Sequence, residues 1–178
     1  SEAGIGVSLV CEAAHKPSLV ETLNSFIAEK CALYPERFIG LAAIHPDCEN
    51  IHDILDRARE HGLRGVKIHP DYQAFNMDDG RCDVLYQYCE EKRFPILIHC
   101  GDNRYDYSAP FRLQRVVDRF PQAPIIAAHL GGYQRWKESF LLKNTGNLYF
   151  DTSSSLFSLK REEVLAFFEK FGYDRFFF

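Results

Sequence analysis

The sequence predicts an α/β fold on parallel strands, a (β/α)8 barrel that is incomplete at both ends. Three observations predict it. Short apolar runs alternate with amphipathic segments along the whole chain, at roughly the 25–35-residue interval of one βαβ repeat. Most runs are continuously apolar, as suits parallel strands covered on both faces. Residues able to do chemistry end nearly every run, and barrel chemistry is gathered from the C-terminal ends of many strands.

The elements follow in order. The first run is Ile5 to Val10, and a helix with the stripe Leu19, Val20, Leu23, Phe26 and Ile27 comes after it. The run Phe38 to Ile44 leads to a second helix on Ile51, Ile54, Leu55 and Ala58, with Gly62 placed to end it. Gly65 to Ile68 precedes a helix on Val84, Leu85, Tyr88 and Cys89. Ile96 to His99 precedes a helix on Leu113, Val116, Val117 and Phe120, opened by Ser108 as N-cap. Ile125 to His129 is followed by Trp136, Phe140 and Leu141. Leu148 to Asp151 is followed by Val164, Leu165, Phe168 and Phe171, closed by Gly172. Arg175 to Phe178 is the last run. Spacings of three and four are helical, and such stripes belong to the core. Seven runs with six helices fit either an open doubly wound sheet or a barrel with strand 1 absent and strand 8 cut at the C-terminus. No Gly-rich phosphate loop follows the first run, which weakens the first option.

The 178 residues suggest one domain spanning 1–178, and 46% hydrophobic with 26% charged residues supply an ordinary globular core. A net charge of −4 offers no basic patch for nucleic acid, and no apolar run is long enough to span a membrane. No secretory signal pattern opens the chain. The six cysteines, Cys11, Cys31, Cys48, Cys82, Cys89 and Cys100, are scattered without a C-x-x-C pair, which reads as reduced thiols and a cytoplasmic location. The chain begins at Ser1 without Met and ends on an apolar run that would leave a bare strand edge, so it reads as a piece of a longer protein.

The histidines carry most of the functional signal. His45, His69, His99 and His129 each stand at the end of an apolar run. A strand that is apolar until it turns to His points an imidazole into the barrel mouth, and neutral imidazole is the commonest metal ligand and a general acid or base near neutral pH. For His45, followed by Pro46, a structural role suffices; His99 and His129 are the chief candidates. His15, His52 and His61 read as surface residues. After His99 the loop Gly101 to Pro110 offers Asp102, Arg104 and Tyr105 as substrate contacts. Asp71 and Tyr72, and Asp151 to Ser154, are candidates for the pocket wall.

The strings Gly65-Val66-Lys67-Ile68-His69-Pro70, Ile98-His99-Cys100-Gly101-Asp102, Ala128-His129-Leu130-Gly131-Gly132, Tyr149-Phe150-Asp151-Thr152-Ser153-Ser154 and Asp174-Arg175-Phe176-Phe177-Phe178 occur in this order. Together they resemble the amidohydrolase superfamily, specifically its amidohydrolase-2 branch of TIM-barrel hydrolases and decarboxylases. The resemblance implies that His99 ligates a divalent metal and that His129 is the acid/base. It also implies a His-x-His pair on strand one and an Asp after strand eight, neither of which is in this sequence, so the chain alone should bind metal poorly. Lys67 shares strand parity with His69, so both face inward. Both are read here as substrate contacts, with carbamylation and metal bridging as the alternative for Lys67.

The expected activity is hydrolysis of a small polar, carboxylate-bearing substrate by a metal-activated water, with zinc as the metal; manganese, iron and cobalt suit the same ligands. The alternatives are a non-oxidative decarboxylase of the same branch and a catalytically inactive fragment. Self-association is common in the branch, and a homo-oligomer is therefore an expectation for this chain too.

Overall fold

A computed structural model describes residues 4–178. Of the expected domain 1–178, residues 1–3 therefore lie outside the described residues. The strands are β1 (Ser8–Val10), β2 (Phe38–Gly40), β3 (Ala42–Ala43), β4 (Val66–Ile68), β5 (Ile96–Ile98), β6 (Ile125–Ala127), β7 (Leu148–Asp151) and β8 (Phe176–Phe177). The helices are α1 (Val20–Leu33), α2 (Ile51–Glu60), α3 (Pro70–Gln73), α4 (Asp83–Lys92), α5 (Pro110–Arg119), α6 (Trp136–Ser139) and α7 (Arg161–Phe171). Each strand pairs in parallel with the next in sequence, except that β2 and β3 are halves of one run. Within that run β2 pairs with β1, and β3 pairs with β4. The order never reverses, which excludes the doubly wound sheet with its switch point. The chain is an incomplete (β/α)8 barrel.

Strand alternation sorts the side chains into two cores. Val66, Ile68, Ile96, Ile98, Ile125, Ala127, Leu148 and Phe150 face the helices and belong to the large buried cluster. Leu41, Leu97, Ile126 and Ala128 fill the barrel interior, with Cys11 and Tyr149 against them. All of the strand-end chemistry sits above this inner plug.

Most of the sequence reading of the helices holds, with corrections at their edges. Gly62 and Gly172 follow α2 and α7 at φ +90 and +96, where an L side chain would be strained. Phe26 is 57% exposed, because the buried line of α1 runs through Val20, Asn24 and Ile27. Asn24 is a core residue the apolar pattern hides. Its amide accepts from Ala43 N–H at 2.7 Å and donates to Ala43 O at 3.1 Å. Ser108 is not the cap of α5. Ala109 takes that place with Pro110 in the first turn, and the buried Ser108 hydroxyl donates to Asp71 instead. Leu141 is 79% exposed, since α6 is only four residues long and ends before it.

All six cysteines are free. Among the described residues no helix is long and apolar enough to cross a membrane.

Candidate metal and acid/base site

Three of the four strand-end histidines converge. The His69 and His99 rings stack at 3.7 Å between centroids and 10° between planes. His99 Nδ1 lies 3.1 Å from His129 Nε2. His45 stays apart, buried, where its Nδ1 accepts from Asp47 N–H at 3.2 Å. It serves the turn after β3, in line with the structural role its Pro46 neighbour suggests. His15, His52 and His61 are exposed.

Alternation explains two of the three directions. Lys67 on β4 and His69 just beyond it, and Leu97 on β5 and His99 just beyond it, share the inward parity. His129 does not. Ile126 and Ala128 are the inward residues of its strand, so the next side chain would turn outward. Left-handed backbone corrects this: His129 has φ +59 and Leu130 φ +54. Such conformations in non-glycine residues cost of order 1–3 kcal/mol and persist only when their surroundings enforce them. Here the surroundings are explicit. His129 N–H donates to Asp151 Oδ1 at 2.9 Å, and Trp136 Nε1–H donates to His129 O at 3.0 Å. The buried Ser139 hydroxyl donates to Leu130 O.

Beside this turn, Gly101 has φ +84, and a Cβ there would lie 2.3 Å from Tyr133 N. Tyr133 N–H donates to Cys100 O at 2.7 Å, fastening the loop after β6 to the loop after β5.

Proton positions can be read from the partners. His129 Nδ1 lies 2.9 Å from Ser153 O, which can only accept. The Ser153 hydroxyl donates to Asp151 Oδ1 at 2.5 Å, so its oxygen also accepts from His129 Nδ1, at 3.0 Å. The His129 proton is therefore on Nδ1. His69 Nδ1 accepts from Tyr72 N–H at 3.3 Å, which puts its proton on Nε2 and makes it a donor into the mouth. Burial pushes the His69 imidazole down to about 4 and that of His99 to about 2, with the neighbouring His69, His129 and Lys67 adding to the effect at His99.

Asp71, on the first turn of α3, has a side chain only 3% exposed. Its Oδ2 is 3.7 Å from His99 Nε2 and accepts from the Ser108 hydroxyl, while its Oδ1 is buried without a hydrogen-bond partner. Burial raises its carboxyl pKa. One ligand-type atom from each of His69, Asp71 and His99 falls within 4.8 Å of the others. A desolvated carboxylate with an orphan oxygen beside two imidazoles is a donor set that suits a divalent cation. Gln73 holds the turn: its amide accepts from His69 N–H at 2.7 Å and donates to Ala14 O and Ile44 O at 2.6 and 2.8 Å.

The remaining expected residues spread outward. Lys67 lies below the histidines, and among the described residues it has no hydrogen-bond or ion-pair partner. Burial lowers its pKa, and the Asp151 carboxylate opposes the shift. Asp102 is buried and chelated by Arg104, whose Nε and Nη2 donate at 3.0 and 2.7 Å, which holds its carboxyl down at about 2. Arg104 itself is 73% exposed at the rim. Tyr105 is exposed and stacks on Tyr107. Asp151 is taken up in fixing the His129 and Ser153 backbone. The sequence reading did not single out Gln73, Gly101 or Trp136. Only the glycine, sitting directly after His99-Cys100, carried a visible signal.

Residues 12–178 match the family model described as Amidohydrolase. A 2-amino-3-carboxymuconate-6-semialdehyde decarboxylase of Dictyostelium discoideum is 30% identical over 83 residues, 46% of this chain and 23% of that protein. An uncharacterised TIM-barrel protein from Bordetella bronchiseptica superposes with a TM-score of 0.80 at 22% identity, over 99% of this chain and 65% of that one. A 5-carboxyvanillate decarboxylase from Sphingomonas paucimobilis gives 0.72 at 16% identity, over 98% and 68%. A dihydroxybenzoic acid decarboxylase from Polaromonas, solved with manganese and 2-nitroresorcinol, gives 0.73 at 17%, over 99% and 71%. The chain thus spans less than a quarter of the curated relative and about two thirds of the structural ones.

Proposed function

The chain belongs to the amidohydrolase family, and on that premise we propose that it carries the core of a metal-dependent, non-oxidative decarboxylase acting on a small aromatic or vinylic carboxylic acid. The observation that carries this reading is the imidazole of His129, built into the mouth by a strained turn and held 3.1 Å from His99. Decarboxylases among the relatives support this chemistry over the hydrolysis expected from the sequence. The six free thiols support a reducing, cytoplasmic setting.

His99 would hold the metal, and a divalent ion there would offset negative charge on the substrate's carboxylate and neighbouring oxygen. Manganese in the Polaromonas relative makes it the first metal to test, ahead of zinc. Lys67 offers a cation to the substrate's carboxylate, and His69 offers its Nε2–H as a neutral donor. His129 is the acid. Protonated at Nε2, it can no longer accept from His99, so the proton is available to the substrate carbon that bears the carboxylate. The carbon–carboxylate bond then breaks, its electron pair restores the unsaturated system, and carbon dioxide leaves.

The test is carbon dioxide release from hydroxybenzoates with Mn2+ present, run in D2O. One deuterium should appear at the carbon that lost its carboxylate. His129→Asn should keep Mn2+ and lose turnover by about 10²–10⁴-fold. Cleavage of esters, lactones or amides without carbon dioxide release would restore the hydrolase reading.

A further inference from the structure

His99 Nε2 lies 3.0 Å from Gly101 O and 3.7 Å from Asp71 Oδ2, both of them acceptors. The Asp71 carboxylate, 3% exposed, also keeps Oδ1 without a hydrogen-bond partner, and no lysine or arginine pairs with it among the described residues. Ligand atoms about 2.1 Å from a shared divalent ion stand about 3.0–3.4 Å apart, and the two observed separations lie at and just beyond that interval.

We infer that Asp71 is itself a metal ligand, supplying a carboxylate oxygen from the loop after β4 to the cation bound by His99 Nε2. The Gly101 carbonyl is the third protein oxygen or nitrogen in reach. His69, although part of the same cluster, is excluded from the ligand set. Its Nδ1 is spent on Tyr72 N–H and its Nε2 carries the proton. The assignment also gives Ser108 a purpose that helix capping does not: its hydroxyl holds the Oδ2 that stands 3.7 Å from His99 Nε2.

This inference rests on the proposed metal at His99, so the experiment separates the two. Mn2+ is titrated into the unsubstituted protein, Asp71→Asn, His69→Asn and His99→Asn, with free Mn2+ read by electron paramagnetic resonance. Co2+ visible absorption then reports the ligand set. Far-UV circular dichroism checks folding, and Asp71→Ala replaces Asp71→Asn if the latter does not fold. Asp71→Asn should weaken Mn2+ binding about tenfold or more and alter the Co2+ bands, while His69→Asn leaves both largely in place. Unchanged affinity or unchanged Co2+ bands in Asp71→Asn, with binding lost in His99→Asn, overturns Asp71 as a ligand and leaves the metal at His99 standing. If His99→Asn binds as well as the unsubstituted protein, both fall.

Discussion

Replacing Gly101 by alanine tests the geometry on which the site depends. The residue has φ +84, and the added Cβ would lie 2.3 Å from Tyr133 N and 2.5 Å from both Gly132 C and Tyr133 O. All three are backbone atoms, so no side chain can rotate away. The left-handed conformation alone costs an alanine roughly 1–2 kcal/mol. Overlap in a packed interior adds of order 1–3 kcal/mol, because the loop after β6 must retreat by about 1 Å to restore contact distance. Together these predict a loss of about 2–5 kcal/mol. Gly62 is the control. Its φ is +90, yet nothing lies within 4 Å of its Cβ position, so Gly62→Ala should cost only the conformational part, about 1–2 kcal/mol. Urea unfolding measures both. The functional difference should be larger still. Tyr133 N–H donates to Cys100 O, one residue from His99, and the same loop carries His129. Displacing it opens the 3.1 Å contact between the two rings, and Mn2+ affinity and turnover should fall together in Gly101→Ala while Gly62→Ala keeps both. Two variants equal in stability within about 0.5 kcal/mol, with Mn2+ affinity intact in Gly101→Ala, would refute the claim that backbone contact between these loops sets the histidine pair.

The pH dependence of stability is checked in the metal-free protein. Burial holds His69 at about 4 and His99 at about 2, so between pH 6.5 and about 4 the unfolded chain takes up protons that the folded protein refuses. Stability is therefore fully present above about pH 6.5 and falls with pH across that window, and a flat urea midpoint there would contradict it. Lys67→Met removes a desolvated ammonium with no hydrogen-bond partner among the described residues. It should raise stability by about 1 kcal/mol and raise KM for carboxylate substrates about tenfold, and an unchanged KM would exclude Lys67 from substrate binding. Phe150 is fully buried, with Phe171 and Phe176 at 4.6 and 5.4 Å between ring centroids. Phe150→Ala should cost about 3–5 kcal/mol in unfolding free energy, and a cost below about 1 kcal/mol would mean that β7 is not packed against α7 as described.

The strands were legible because parallel strands leave continuous apolar runs, and Ile96 to His99 or Ile125 to His129 stand out against any charged background. The position of His99 was legible for the same reason, since a residue two beyond the inward Leu97 must also face inward. Asn24 was not legible. A polar residue reads as surface until one sees that Ala43, at a strand interrupted between β2 and β3, needs a partner for both its N–H and its C=O. Ser108 was misread because Ser before Ala-Pro has the local chemistry of a cap, and only the tertiary approach of Asp71 diverts its hydroxyl.

His129 shows why sequence order alone could find the right residue by an incomplete argument. Its strand ends at Ala127, and counting alternate residues onward from the inward Ile126 and Ala128 would have aimed it at the helices. What brings it back is the His129–Leu130 turn, whose cost is met by hydrogen bonds to three residues on two segments: Asp151 at the end of β7, and Trp136 and Ser139 on α6. A strained turn with that much support is conformationally fixed, and fixing is what an acid needs when its proton must reach one carbon and no other. In the proposed decarboxylation Asp151 would act through His129 without touching substrate. Asp151→Asn would keep the acceptor oxygen but lose the charge that three donors share, namely His129 N–H, Ser153 N–H and the Ser153 hydroxyl. The expected signature is a fall in turnover of about tenfold or more with KM little changed, because the proton donor is misdirected while the substrate contacts at Lys67 and His69 remain. A variant whose KM rises while turnover holds would instead place Asp151 on the substrate.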